Sequence, residues 1–152
     1  MIFDRTKEDV SLALKIRDNK IKKFISLTEE ETEIIEKGFL TLSTINRIEA
    51  KQAVLVDIFH DMGYYDIGKK SDSKVDWKIT DIFRKNDLTR IFEKNDILKE
   101  GFFELSFFPQ SVNVGTNYED VNALEKTLHD LEVTADSVKS LYRRCGKEVA
   151  KT

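Results

Sequence analysis

Between Asn117 and Val149 the chain reads NYEDVNALEKTLHDLEVTADSVKSLYRRCGKEV, and this stretch decides the fold. Val121, Leu124, Leu128, Leu131, Ala135, Val138, Tyr142, Cys145 and Val149 follow one another at alternating steps of 3 and 4. Such a heptad returns one narrow apolar stripe to the same helix face every two turns. No Pro interrupts it, and Gly146 falls only near its end. At ~1.5 Å per residue the predicted helix is roughly 50 Å long, more than a compact domain of this size needs. The stripe must therefore pack along a partner, from the same chain or from a copy of it. Ala135, Tyr142 and Cys145 are imperfect coiled-coil residues, which favours packing inside the chain for part of the stripe.

A packing surface for it exists upstream. Ile45, Ile48, Gln52, Leu55, Phe59 and Met62 repeat the 3–4 spacing and predict a helix capped by Ser43 or Thr44, running to about Met62 and closed by Gly63. Before it, Asp4 or Thr6 is the expected N-cap of a first helix that reaches about Phe24. Ser26 or Thr28 opens a second, with Glu29, Glu30 and Glu31 where the helix dipole favours negative charge, and with Gly38 as its C-cap.

Tyr64 to Trp77 reads as a loop, with a small polar run from Lys69 to Lys74. Trp77-Lys78-Ile79-Thr80-Asp81 reads as a short strand or extended segment leading into a helix cap. Phe83-Arg84-Lys85-Asn86-Asp87-Leu88 recurs as Phe92-Glu93-Lys94-Asn95-Asp96-Ile97, at a period too short for a solenoid, so we place it on one helix from about Leu88 to Lys99. Gly101 to Pro109 is aromatic and expected to be extended, because Pro109 disfavours the helical region at Phe108. The predicted fold is all-α: a helical bundle with a long C-terminal helix and a short extended aromatic segment. Its expected division is a helical domain with an aromatic loop region over residues 1–110, then a linker and the long packed helix over 111–152.

Composition narrows the function classes. The 25 basic and 28 acidic residues nearly cancel, so no global field favours nucleic acid or an acidic membrane. One cysteine excludes an internal disulfide, and with two histidines it leaves too few ligands for structural zinc. One Pro and six Gly argue against a many-turned β-sandwich. Neither a signal peptide nor a membrane span is read, so cytoplasmic synthesis is expected.

Chemistry-bearing patterns are sparse. Asp57, His60 and Asp61 share a helix face, and His129-Asp130 lies off the apolar stripe; both read as solvated helix surface. Cys145 occupies a stripe position and reads as a small buried hydrophobe, although Arg143, Arg144 and Lys147 are near it in sequence. Lys20-x-Lys22-Lys23, Lys69-Lys70 and Arg143-Arg144 read as solvated faces, and phosphate-loop and dinucleotide patterns are absent. No catalytic residue, metal ligand or cofactor is expected. The aromatic set Tyr64, Tyr65, Trp77, Phe102, Phe103, Phe107 and Phe108 has two readings: core and lid packing, or an exposed surface for a partner or a stacked sugar.

Four stretches, in order, resemble a domain of tail-region structural proteins of phages and prophages of Gram-positive bacteria. They are Asp4-Arg5-Thr6-x-x-Asp9-Val10; Asn46-Arg47-Ile48-Glu49; Trp77-x-x-x-Asp81-Ile82 with Asp87-Leu88-x-Arg90-Ile91-Phe92-x-x-Asn95; and Pro109-x-Ser111 with Tyr118-Glu119-Asp120-Val121-Asn122-Ala123-Leu124-Glu125-Lys126-x-Leu128. The resemblance implies a non-enzymatic tail, baseplate or fibre-attachment component, assembled in the host cytoplasm into a virion or phage-tail-like particle. It carries over no catalytic residue. The expected assembly residues are Val121, Leu124, Leu128, Leu131, Val138 and Tyr142, and the expected partners are other particle proteins and further copies of this chain. The alternative is a carbohydrate-binding module for the host cell wall, built on Trp77, Tyr64, Tyr65, Phe103 and Phe107, which predicts an exposed Trp77. A third option is a small cytoplasmic regulator or assembly chaperone.

Overall fold

A computed structural model of the chain describes residues 1–69, 72–102 and 117–149, the side chains of 142–149 excepted. Its described residues contain five α-helices and no strand, so the chain is all-α. The helices are α1 (Lys7–Asn19), α2 (Glu29–Gly38), α3 (Leu42–Asp61), α4 (Lys85–Phe102) and α5 (Tyr118–Val149), with a 3₁₀ turn at Ile21–Lys23.

Local chemistry sets most of the boundaries. The hydroxyls of Thr6 and Thr28 accept from the backbone N–H groups of Asp9 (3.2 Å) and Glu31 (3.3 Å). In return those carboxylates accept from the N–H groups of Thr6 (2.8 Å) and Thr28 (2.9 Å), closing a capping box at the start of α1 and of α2. Thr41, rather than Ser43 or Thr44, caps α3: its hydroxyl accepts from the Thr44 N–H at 3.2 Å, and Thr44 itself is buried. α1 stops at Asn19 instead of reaching Phe24, because the chain tightens into the 3₁₀ turn and Phe24 then enters the left-handed region at φ 57°. α4 begins at Lys85, before the expected Leu88, with the Asp87 carboxylate accepting from the Arg84 N–H at 2.9 Å.

Two extended segments are corrected. Gly101 and Phe102 close α4 instead of leaving it. The Phe102 ring stacks on Phe59 with 4.4 Å between centres and meets Tyr64 edge-on at 5.3 Å, so its burial holds the last turn helical. The remainder of the aromatic stretch, with Phe103 and Phe107, lies outside the described residues. Trp77 to Asp81 is a loop ending in a turn, not a strand. Here the Asn46 amide does the work of a strand partner: it accepts from the Trp77 N–H (2.8 Å) and donates to the Trp77 carbonyl (3.0 Å).

The core is a three-helix packing of α3, α4 and α5. Ile45, Ile48, Leu55 and Phe59 of α3 meet Leu88, Ile91, Phe92, Leu98 and Phe102 of α4, and Val121, Leu124, Leu128, Leu131 and Ala135 of α5. Gln52 is fully buried in that seam and donates to the Ile91 carbonyl at 2.7 Å, which satisfies the amide hydrogen where an apolar residue would otherwise sit. α1 and α2 instead pack chiefly on each other and form an N-terminal hairpin. Gly38 makes their close approach possible. A Cβ there would overlap Ala13 Cβ and crowd the Asp9 carbonyl, so this glycine serves a helix crossing and not the left-handed C-cap its position implied.

Candidate functional site

The heptad stripe comes first, because it was the expected assembly surface. Val121, Leu124, Leu128 and Leu131 are buried within the chain, at 0–5% exposure, and Val138 is partly buried against the same core. Each fully buried leucine contributes roughly 1.5–3 kcal/mol to the bundle. Those residues therefore pack on α3 and α4 within the chain. The side chain of Tyr142 lies outside the described residues.

The residues that carry the family resemblance meet inside the molecule. Glu125 of α5 is fully buried; its Oε2 pairs with Arg5 Nη1 at 2.5 Å, and its Oε1 accepts from Arg47 Nη2 at 2.9 Å and Nε at 3.0 Å. Asn122 completes the clasp: its amide donates to the Arg5 carbonyl at 2.8 Å and accepts from the Arg5 N–H at 3.2 Å. A second buried carboxylate, Glu49, pairs with Arg90 at 2.5 Å, and Arg90 also donates to the Asp72 carbonyl at 2.9 Å. Lys94 donates to the Lys69 carbonyl at 2.9 Å; burial pushes its amine below the ordinary lysine range. These charges tie the N-terminal segment to α5, and the 64–84 loop to α3 and α4.

The aromatic set does not assemble into a sugar platform among the described residues. Trp77 is only 7% exposed: Phe83 meets it edge-on at 5.2 Å and the Lys74 amine lies 4.1 Å from its ring centre. The core-packing reading therefore holds for Trp77, whose backbone is paired with Asn46, and the exposure that the carbohydrate-binding alternative requires is not found. Tyr64 is half-buried against Phe59 and Phe102, and Tyr65 is exposed at 72%. His60 lies 5.6 Å from the Tyr65 ring, and His129 stacks on Phe3 at 5.2 Å. Among the described residues no three His, Cys, Asp or Glu side chains are grouped to hold a metal ion, and no helix is long and apolar enough to cross a membrane.

Two features remain at opposite ends of the N-terminal hairpin. At its tip Phe24 is 98% exposed, flanked by the exposed side chains of Ile21 and Ile25. Lys22 and Lys23 are exposed beside them, Lys22 pairing with Asp18 at 2.8 Å. At its base a pocket of about 290 Å³ opens between the start of α1, the end of α2 and the start of α5. Val10, Phe39, Leu40, Tyr118 and Val121 supply apolar wall, with Arg5 beside them. Glu119 accepts from the Tyr118 hydroxyl at 3.1 Å, and this bond, followed by burial, raises the Tyr118 phenol.

Sequence reasoning missed the tip. Phe24 was placed at the end of a helix and Lys20 to Lys23 on a solvated face; the available signal was an aromatic residue that no helical stripe absorbs. It also missed the pairing of Arg5 with Glu125, for which one sequence carries no signal. No family model, curated protein or solved structure matches the chain.

Proposed function

We propose that the chain is a non-enzymatic structural component of a phage or phage-tail-like particle, at a tail, baseplate or fibre-attachment position, and that it acts by helix-mediated protein–protein assembly. One observation carries this reading. Several polar residues of the stretches that resemble tail-region proteins go to internal clasps: Arg5, Arg47, Asn122 and Glu125 in one, Glu49 and Arg90 in the other, with Asn46 fixing the loop. A side chain held inside such a clasp positions helices and does not face a substrate. The resemblance is thus borne by scaffold residues, as suits a protein whose task is to present a rigid surface.

In this reading the three-helix core keeps its shape while the hairpin and the exposed helix faces meet neighbouring particle proteins and further copies of this chain. Contacts that are individually modest add up when copies repeat around a closed ring. Nucleic acid and membrane have no part in it.

The test is co-sedimentation. An epitope-tagged chain is expressed in a host producing its particles, and the lysate is resolved on a density gradient. The expected result is a fixed number of copies per particle in the particle band, retained after a salt wash. Recovery solely at the top of the gradient would contradict it and favour a cytoplasmic regulator or assembly chaperone.

A further inference from the structure

We propose that the chain associates with itself head to tail, Phe24 of one copy seating in the apolar pocket at the hairpin base of the next. This deepens the reading above by naming a partner, a second copy, and the surface that meets it.

The knob is built at a cost. Phe24 caps the 3₁₀ turn, its N–H donating to the Ile21 carbonyl at 3.1 Å, while the Ile25 N–H donates to the Lys20 carbonyl at 3.0 Å. That position requires a positive φ, which Gly or Asn adopts readily and a bulky aromatic residue does not. A strained residue whose ring is 98% exposed obtains no compensating burial within its own chain. Strain of this kind collects where a protein holds a side chain ready for contact.

The pocket complements it in size, polarity and charge. An aromatic side chain buries roughly 150–250 Å² when enclosed, and a cavity of about 290 Å³ walled by Val10, Phe39, Leu40, Tyr118 and Val121 admits one ring. Lys23 is exposed beside the knob, whereas the Glu119 carboxylate stands next to the pocket wall, 3.1 Å from the Tyr118 hydroxyl. Of the cations near the pocket, Lys37 is engaged by Asp9 at 3.3 Å and Asp4 at 3.4 Å, and Arg5 by Glu125 at 2.5 Å.

Position decides the symmetry. Knob and pocket lie at opposite ends of α1, a 13-residue helix and thus about 20 Å apart. One copy cannot fill its own pocket, so each knob must seat in another copy. Repeating one knob-in-pocket junction instead generates a ring or an open filament. Each junction is small, so a single one is weak and a closed ring is stable.

The experiment uses purified protein and native mass spectrometry with light scattering, independent of any particle. Phe24→Gly removes the knob while relieving its backbone. Val10→Arg blocks the pocket from α1, and Tyr118→Arg blocks it from α5 should the first variant fold poorly; circular dichroism checks helicity. We expect wild type to associate with rising concentration and each single variant to remain monomeric. A mixture of knob-less and pocket-blocked chains should yield nothing larger than a 1:1 dimer, because one functional junction survives. A monomeric wild type, a single variant that associates like wild type, or a mixture that forms species larger than 1:1 overturns the proposal. Those outcomes leave co-sedimentation with particles unaffected, so the two readings fail separately.

Discussion

Glu125 is the residue on which the N-terminal segment depends. Its carboxylate is fully buried between two guanidinium groups, one of them the buried Arg5. Exposed ion pairs are worth about 0–1 kcal/mol, whereas removing one partner of a buried pair costs about 3–5 kcal/mol because a charge is left without compensation. Glu125→Ala is therefore expected to lose about 3 kcal/mol in urea denaturation, the lower end applying because Arg47 can turn to solvent. A loss below about 1 kcal/mol would mean that Arg5 finds water instead. Gly38 makes a different demand, for space. Gly38→Ala should destabilise by about 1–3 kcal/mol despite alanine's better helix propensity, since its methyl group meets Ala13 and the Asp9 carbonyl. Adding Ala13→Gly should restore part of that, and thermal unfolding of the pair of variants measures how much. None of this was legible beforehand. Arg5 and Glu125 are far apart in sequence, and Gly38 at a helix end reads as a cap whether or not another helix crosses there.

At the scale of elements, the starts of α1 and α2 were legible because a capping box is a local pattern: Thr6 with Asp9, and Thr28 with Glu31, lie at the required separation. Choosing Thr41 over Ser43 or Thr44 was not, since three hydroxyl residues lie close together and the burial of Thr44 decides between them. The boxes have a pH signature. Burial pushes the Asp9 carboxyl up, but the Thr6 N–H and hydroxyl and the Lys37 ammonium outweigh it, holding the group below its ordinary 3.8. The Lys20 ammonium, then the Thr28 N–H, hold Glu31 below its ordinary 4.5. A carboxylate with a lowered folded pKa stabilises fully above its unfolded value and loses that contribution as pH falls through the folded one. Thermal unfolding should therefore drop as pH is lowered past 4.5 and then 3.8. Asp9→Asn with Glu31→Gln should shallow that slope. Asp18 and Asp81, held down by bonds from Lys22 and Lys74 respectively, keep some of it. An unchanged slope would place the acid sensitivity outside the hairpin.

Across the whole molecule, the all-α class and the long final helix followed from the unbroken 3–4 spacing, and the helix at Ile45 to Phe59 was the correct partner for it. The same regularity could not say how much of the stripe is enclosed. In the structure, Leu128 and Leu131 are fully buried by α3 and α4. Leu128→Asp should consequently abolish cooperative unfolding, not merely association, and a folded monomer from that variant would contradict the packing. Aromatic density left core packing and an outward surface both open; Trp77 takes the first, drawn inward by Asn46, which no spacing rule anticipates. Among the described residues, the bundle leaves outside it the N-terminal hairpin, with an exposed aromatic knob at its tip and an apolar pocket at its base. The proposed self-association uses that arrangement. Light scattering of the wild-type chain across a concentration series tests this most directly. The account predicts a mass that climbs from one chain to a multiple of it, and that stays at one chain for Phe24→Gly; a single-chain mass for wild type throughout would contradict it.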